Sequence, residues 1–242
     1  MTSRVISRTI ARLGVRSIFG QWRGVLLFVL ALVLIALAVL VRALVGQDET
    51  ASEHTLDRLG LAVIAPLVAL LATSGLLAPE IDDGSISYLL AKPISRYTII
   101  GSKLVVAIGC SLAFGAVPML VAGLVVRTGD PSLALGFAVG AAVGGAAYCA
   151  LFALLSVLTR HAVVIGLVYL LIWEGLLGGL LDGVRWLSIT RWSGEIVDEL
   201  AGLSLVGGLS VVYAVVAAVV VVVGGTWLSG RRLRAFNLTG DE

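Results

Sequence analysis

Few side chains in this 242-residue chain could do chemistry. Glu174, in the run Trp173-Glu174-Gly175, is a carboxylic acid inside an apolar stretch. An acid at the centre of a membrane helix costs about 2.5–3.5 kcal/mol on insertion scales, so it should face protein or a water-filled cavity. It would serve as a substrate contact, a proton relay or a hydrogen-bonded packing residue, and the packing role is favoured. Glu80, Asp82 and Asp83 form a second group that could hold a divalent metal for phosphoryl or alcohol transfer. Yet they fall within four residues of one another, and no acidic motif on another apolar stretch completes a site. Gly109-Cys110-Ser111 is not a nucleophile elbow. Gly101-Ser102-Lys103 lacks the upstream glycine of a phosphate loop. Cys110 and Cys149 sit in apolar runs and read as small buried residues. His161, beside Arg160, reads as a solvated boundary. The chain is expected to carry no catalytic residue, cofactor or metal of its own.

The elements that must position these groups follow from composition. Apolar residues make up 59% of the chain and charged residues only 13%, about half the share of a soluble domain. Mean hydropathy is +1.08, and Val25–Val41 is apolar without a break. One soluble core could not hide that much apolar surface. A soluble enzyme, a nucleic-acid-binding domain and a disordered chain are excluded, and the bilayer is the expected solvent. Six stretches reach the roughly 20 apolar residues that cross it: Gly24–Val45, Leu59–Ala78, Ile99–Val126, Leu133–Leu158, Ala162–Leu181 and Gly207–Ser229. The fold class is therefore an all-α polytopic membrane protein. An amphipathic interfacial helix over residues 1–23 precedes a six-span transmembrane domain over residues 24–242.

Sidedness follows from the basic residues. With the N-terminus inside, twelve of the 17 Lys and Arg face the cytoplasm and five face outward. The acidic stretch Gln47–Asp57 then becomes an external loop, and both termini are cytoplasmic. Arg4, Arg8, Arg12 and Arg16 recur every four residues opposite Ile6, Ile10 and Leu13, which suits a helix in the headgroup layer. The first apolar run exceeds the length of a signal-peptide core and reads as an uncleaved anchor. Arg42 can snorkel outward from its end.

Two overlapping small-residue steps, Gly136, Gly140 and Gly144, let a neighbouring helix approach closely. The sequence leaves open whether that neighbour belongs to this chain or to a second subunit. Pro66 and Pro118 lie within spans and remove backbone donors, so a kink is expected at each, with packing preferred over gating as its purpose.

The most informative stretch is Pro79–Lys103. Asp82, Asp83 and Ser85 supply N-cap chemistry. Ile86, Leu89 and Leu90 form an apolar face, while Lys92 and Pro93 mark the end of a short amphipathic helix. Ser95 can cap the third span near Arg96. The expected product is a rigid cytoplasmic elbow suited to a groove on a soluble partner.

Glu80, Gly84, Ser85, Ile86, Leu89, Leu90, Pro93, Ile94, Ser95, Arg96 and Lys103 together resemble the first cytoplasmic loop of type-2 ABC exporter permeases. Ser85 stands where many relatives carry Thr. The resemblance implies that this loop is a coupling helix docking on ABC ATP-binding subunits, with Glu80, Asp83, Gly84, Ser85, Leu89, Leu90, Lys92, Pro93 and Arg96 at the contact. It implies a second permease subunit, identical or not, with a translocation path at the interface, and ATP and Mg in the partner subunit. It also suggests short re-entrant helices within Asp182–Val206, forming an external gate. A plain interfacial loop anchored by Trp186 and Trp192 is the alternative. The expected location is a bacterial plasma membrane. Two rivals are a proton-coupled secondary transporter using Glu174, although no repeat relates the two halves, and a membrane-embedded metal-dependent transferase.

Overall fold

The computed structural model describes residues 22–46, 48–82, 96–159, 161–178, 182–206 and 208–235. Residues 1–21 of the N-terminal interfacial helix expected over 1–23 and the body of the elbow, residues 83–95, lie outside the described residues, and residues 22 and 23 belong to the first span's helix. The described chain is helical: α1 (Trp22–Val45), α2 (Glu49–Thr55), α3 (Ala65–Asp82), α4 (Arg96–Ser111), α5 (Val117–Val126), α6 (Pro131–Leu158), α7 (Ala162–Tyr169), α8 (Ile189–Ala201) and α9 (Val211–Ala235). Widened π turns join α2 to α3 over Leu56–Ile64, join α4 to α5 over Leu112–Ala116, and extend α7 over Leu170–Leu177. Five helical stretches among the described residues are long and apolar enough to cross a bilayer: Gly24–Val45, Thr50–Leu76, Tyr97–Val126, Pro131–Leu158 and Val211–Arg232. The fifth expected span is a shorter apolar helix, Ala162–Leu177. The protein is an all-α polytopic membrane protein.

The stretch expected to be an external loop is helical instead. Asp48 accepts from the Ala51 amide, and the Ser52 hydroxyl donates to the Asp48 carbonyl at 2.5 Å. Capping chemistry, not apolarity, therefore begins this helix. The second span starts about nine residues earlier than a hydropathy reading places it, which draws Asp57 and Arg58 into the helix. The two prolines expected to kink spans each follow a π segment by two residues: Pro66 after Leu56–Ile64, and Pro118 after Leu112–Ala116. The Ala65 amide donates to the Gly60 carbonyl and the Val117 amide to Leu112, each five residues back. In an α-helix the pyrrolidine ring clashes with the carbonyl four residues before it. Those carbonyls, on Ala62 and Phe114, both lie in the widened turns, and the wider turn accommodates the ring.

α6 is the central helix, packed by α3, α5, α8 and α9. Phe137, Tyr148 and Phe152 on it are fully buried. α1 buries one narrow stripe, Leu27, Ala31, Leu34 and Ala38, and exposes Val25, Phe28, Val29 and Leu32. That is a seam at coiled-coil spacing with its remaining faces turned to lipid. α9 does the same through Ala214, Ala218, Gly225 and Ser229, while Val212, Val216, Val219, Val220 and Val223 face outward. Close approach depends on missing side chains. A Cβ on Gly123 would fall 2.7 Å from the Ala134 Cα, and one on Gly225 would fall 3.0 Å from the Ala150 carbonyl oxygen.

Polar groups gather at the two ends. At one end Arg42 donates to the Val126 carbonyl (3.1 Å), a cation at a helix C-terminus. Beside it Arg127 pairs with Glu53 (3.7 Å) and Asp130 (3.5 Å). At the other end the Lys103 ammonium, only 4% exposed, donates to the Leu76 carbonyl at 2.7 Å. A Cβ on Gly230 there would collide with the Tyr97 ring.

Asp130 caps α6, accepting from Ser132 and Leu133 ahead of Pro131. The Ser132 hydroxyl bond holds its carboxyl below the ordinary aspartate range against a small opposing effect of burial, helped by the Leu133 amide and Arg127. A lowered carboxyl contributes stability above its unfolded value and loses it as pH falls through the folded one. Asp130→Ala should cost about 1 kcal/mol, seen as faster amide exchange at Ser132 and Leu133. The wild-type protection there should fade on acidification, and the variant's should not.

Candidate functional site

The Gly136, Gly140 and Gly144 stripe of α6 faces α8. A Cβ on Gly136 would lie 3.2 Å from Ala201 Cβ, one on Gly140 2.7 Å from Val197 Cγ2 and 2.8 Å from the Ser193 carbonyl, and one on Gly144 would overlap the Ser193 hydroxyl. The neighbour whose chain the sequence left open is therefore a helix of this same chain. α8 is strongly amphipathic: Ile189, Trp192, Ile196 and Val197 are buried, whereas Glu199 and Leu200 are exposed. Gly202, at φ +67°, ends it in the left-handed conformation that glycine adopts without a steric penalty.

α8 runs along α6 with its first turn deepest. Ala201 sits at Gly136 near the start of α6, whereas the Tyr148 hydroxyl meets Thr190 Oγ1 at 2.8 Å. Tyr148 follows Pro131 by seventeen residues, about 25 Å at 1.5 Å per residue, which is past the midpoint of α6. The segment before it, Asp182–Leu187, is a 3-10 turn whose Trp186 carbonyl accepts from Trp192 Nε1 (3.0 Å) and the Tyr213 hydroxyl (2.8 Å). Of the two readings of the segment 182–206, packed helices are what its described residues contain. After α8, Asp198 accepts from the Leu205 and Val206 amides at 2.9 Å each, turning the chain toward α9.

Glu174 lies at the foot of α8. Its oxygens accept from the Tyr169 hydroxyl (3.2 Å), the Ser188 hydroxyl (2.5 Å) and the Ile189 amide (3.0 Å). The Ser188 hydroxyl also caps the helix by accepting from the Arg191 amide at 3.2 Å. A helix N-terminus leaves amides unanswered and carries a partial positive charge, so an acid placed there is favourable. The π turns of Leu170–Leu177 carry Glu174, and the Gly178 amide closes them on the Trp173 carbonyl. Tyr148 stacks on Phe152, Phe152 meets Tyr169 edge-on, and Tyr169 stacks on Trp173, so a ladder of rings joins α6 to this acid. The hydrogen-bonded packing role is the one this geometry fits. Beside Glu174 a cavity of about 160 Å³ is lined by Asp57, Arg58, Ser188, Thr190 and Arg191 among others.

Of the residues expected to dock a partner, Glu80 and Arg96 lie on the described backbone of α3 and α4, and their side chains lie outside the described residues. Asp83, Gly84, Ser85, Leu89, Leu90, Lys92 and Pro93 lie wholly outside them. What is described is the base of the elbow, where Lys103 joins α4 to α3 through Leu76. Sequence reasoning gave no role to Tyr169, Ser188, Tyr148, Thr190, Asp198 or Lys103 as contacts. The one local signal was Ser188 three residues before Arg191, an N-cap spacing inside a polar segment.

A family model described as ABC-2 family transporter protein matches residues 8–232. No curated protein matches the chain.

Replacing Glu174 by Leu would strand three donors, at about 1–3 kcal/mol for each that stays buried. Glu174→Leu and Gly140→Leu should both loosen α8, read as at least about tenfold faster amide exchange over Ile189–Ala201 with α6 still protected. Unchanged exchange in Glu174→Leu would remove the anchoring role.

Proposed function

Because the chain belongs to the ABC-2 transporter family, a family of membrane permeases that work with ABC ATP-binding subunits, we propose that it is the transmembrane subunit of an ATP-driven exporter. The match across nearly the whole chain carries this reading. In it, two six-span permeases form the translocation path between them, and separate ATPase subunits grip the loop 79–103. ATP and Mg are held by those partners. The loop lies on the cytoplasmic side with both termini, in a bacterial plasma membrane, and the Arg42, Glu53 and Arg127 end faces outward. α8 and the turn before it form the outer gate. Glu174 anchors that gate by holding Tyr169, Ser188 and Ile189.

The mechanical step depends on the base of the loop. Lys103 and Leu76 tie its two legs by a buried charge-assisted bond, so a push on the elbow moves α3 and α4 together. The second and third spans then rock as a pair, and α6, packed against both, carries the motion toward α8.

The docking role predicts that Lys92→Glu with Arg96→Glu abolishes co-purification of the ATPase subunit while the chain still inserts in the membrane. Retained co-purification would overturn it. The coupling role predicts that Lys103→Met leaves the ATPase bound but lowers transport per ATP hydrolysed, with partial recovery in Lys103→Arg. Unchanged transport per ATP would reject that role.

A further inference from the structure

The cavity beside Glu174 does not end there. A second, apolar cavity of about 440 Å³ shares its walls at Arg58, Ala62, Glu174 and Gly175 and continues between the second span and the Ala162–Leu177 helix, past Val63, Leu67 and Leu171. The two adjoining cavities set a charged chamber beside an aliphatic one. The larger part lies in the size range of small-molecule sites, about 300–1,000 Å³.

Hydrogen-bonding capacity in the charged chamber is unbalanced. Glu174 accepts from three donors, which leaves about one of a carboxylate's four acceptor positions. Arg191, among the described residues, donates once from its guanidinium, to the Gly178 carbonyl at 3.4 Å. Arg58 Nε pairs with the Asp57 carboxylate at 3.7 Å, with its side chain 78% exposed. A guanidinium offers five N–H donors. The chamber therefore sets two guanidiniums, with about ten N–H donors between them, against two carboxylates, Asp57 and Glu174, whose remaining acceptor positions are too few to answer them all. A group that satisfies them is anionic and carries several acceptor oxygens. The aliphatic chamber, by contrast, has little to hold water and suits a hydrocarbon chain.

We propose that these two adjoining cavities together bind an anion-headed amphiphile, its phosphate or carboxylate between Arg58 and Arg191 and its chain along Val63, Leu67 and Leu171. The site is built within one chain, so binding does not depend on an ATPase subunit. A bilayer lipid and a free single-chain surfactant share this chemistry.

The test uses the full chain in phosphatidylcholine nanodiscs and palmitoyl-lysophosphatidylglycerol carrying a diazirine at its chain end. Cross-linking should be saturable and fall on peptides containing Val63, Leu67 or Leu171. Unlabelled palmitoyl-lysophosphatidylglycerol should compete at least about tenfold better than monopalmitoylglycerol, which has the same chain and no phosphate, as a difference of about 1.4 kcal/mol would give. Arg58→Gln, at an exposed position where folding tolerates change, should erase that preference, as should Arg191→Gln. Cross-links elsewhere, equal competition by the uncharged lipid, or a preference that survives in Arg58→Gln would each overturn the proposal. Loss of labelling in discs containing phosphatidylglycerol identifies a bilayer lipid as the occupant, and persistence identifies a free amphiphile. All of this is read without ATP, so failed transport with intact labelling would count against the exporter reading alone.

Discussion

A helix that begins within the thickness of a membrane protein has amides that lipid does not answer, and here Glu174 answers them. The acid accepts from the Ile189 amide and from Ser188, which itself caps the same turn. Two costly features thereby offset one another, an acid in an apolar helix and the free end of a helix short of the surface. Tyr169, and behind it Phe152 and Tyr148, fix the acid relative to α6, and Tyr148 returns to α8 at Thr190. The loop of contacts closes on itself, so α6, the Ala162–Leu177 helix and α8 form one unit.

Lipid supplies no hydrophobic drive between helices, which explains the small residues at their crossings. The glycines of α6 let α8 lie almost on its backbone, and Gly123 and Gly225 do the same for α5 and α9. The large aliphatics that a soluble protein would bury instead cover the outer faces of α1 and α9. Association rests on close packing and on a few polar bonds, each of which therefore counts for more in placing its helix.

Those polar bonds divide between the ends of the bundle. Lys103 bonds to the Leu76 carbonyl at one end; Arg42, Arg127 and Asp130 form the other. Between them the second and third spans each contain π turns immediately before a proline. In the proposed exporter these are the spans whose lower ends are pushed, and the upper part of the second lines a charged cavity. The interruption in the second span carries Asp57 and Arg58, and so connects the mechanics to the binding chamber.

Composition alone determined the solvent, the all-helical class and most of the spans, because a run such as Val25–Val41 has few other environments open to it. The resemblance read from Glu80 through Lys103 agrees with a family match over residues 8–232. Helix starts made by capping were not legible as span boundaries: Asp48 and Ser52 extend the second span through polar residues that hydropathy counts as loop. The glycine stripe showed that something packs on α6, but spacing along one helix carries no information about its neighbour. Glu174 was visible as an anomaly with a packing role favoured, but its partners were not legible, since Tyr169, Ser188 and Ile189 converge on it only through folding. The pair of adjoining cavities is a tertiary product in the same sense. Arg58 and Arg191 lie more than a hundred residues apart in the chain, and only the packing of the second span against the Ala162–Leu177 helix and α8 brings them to one chamber.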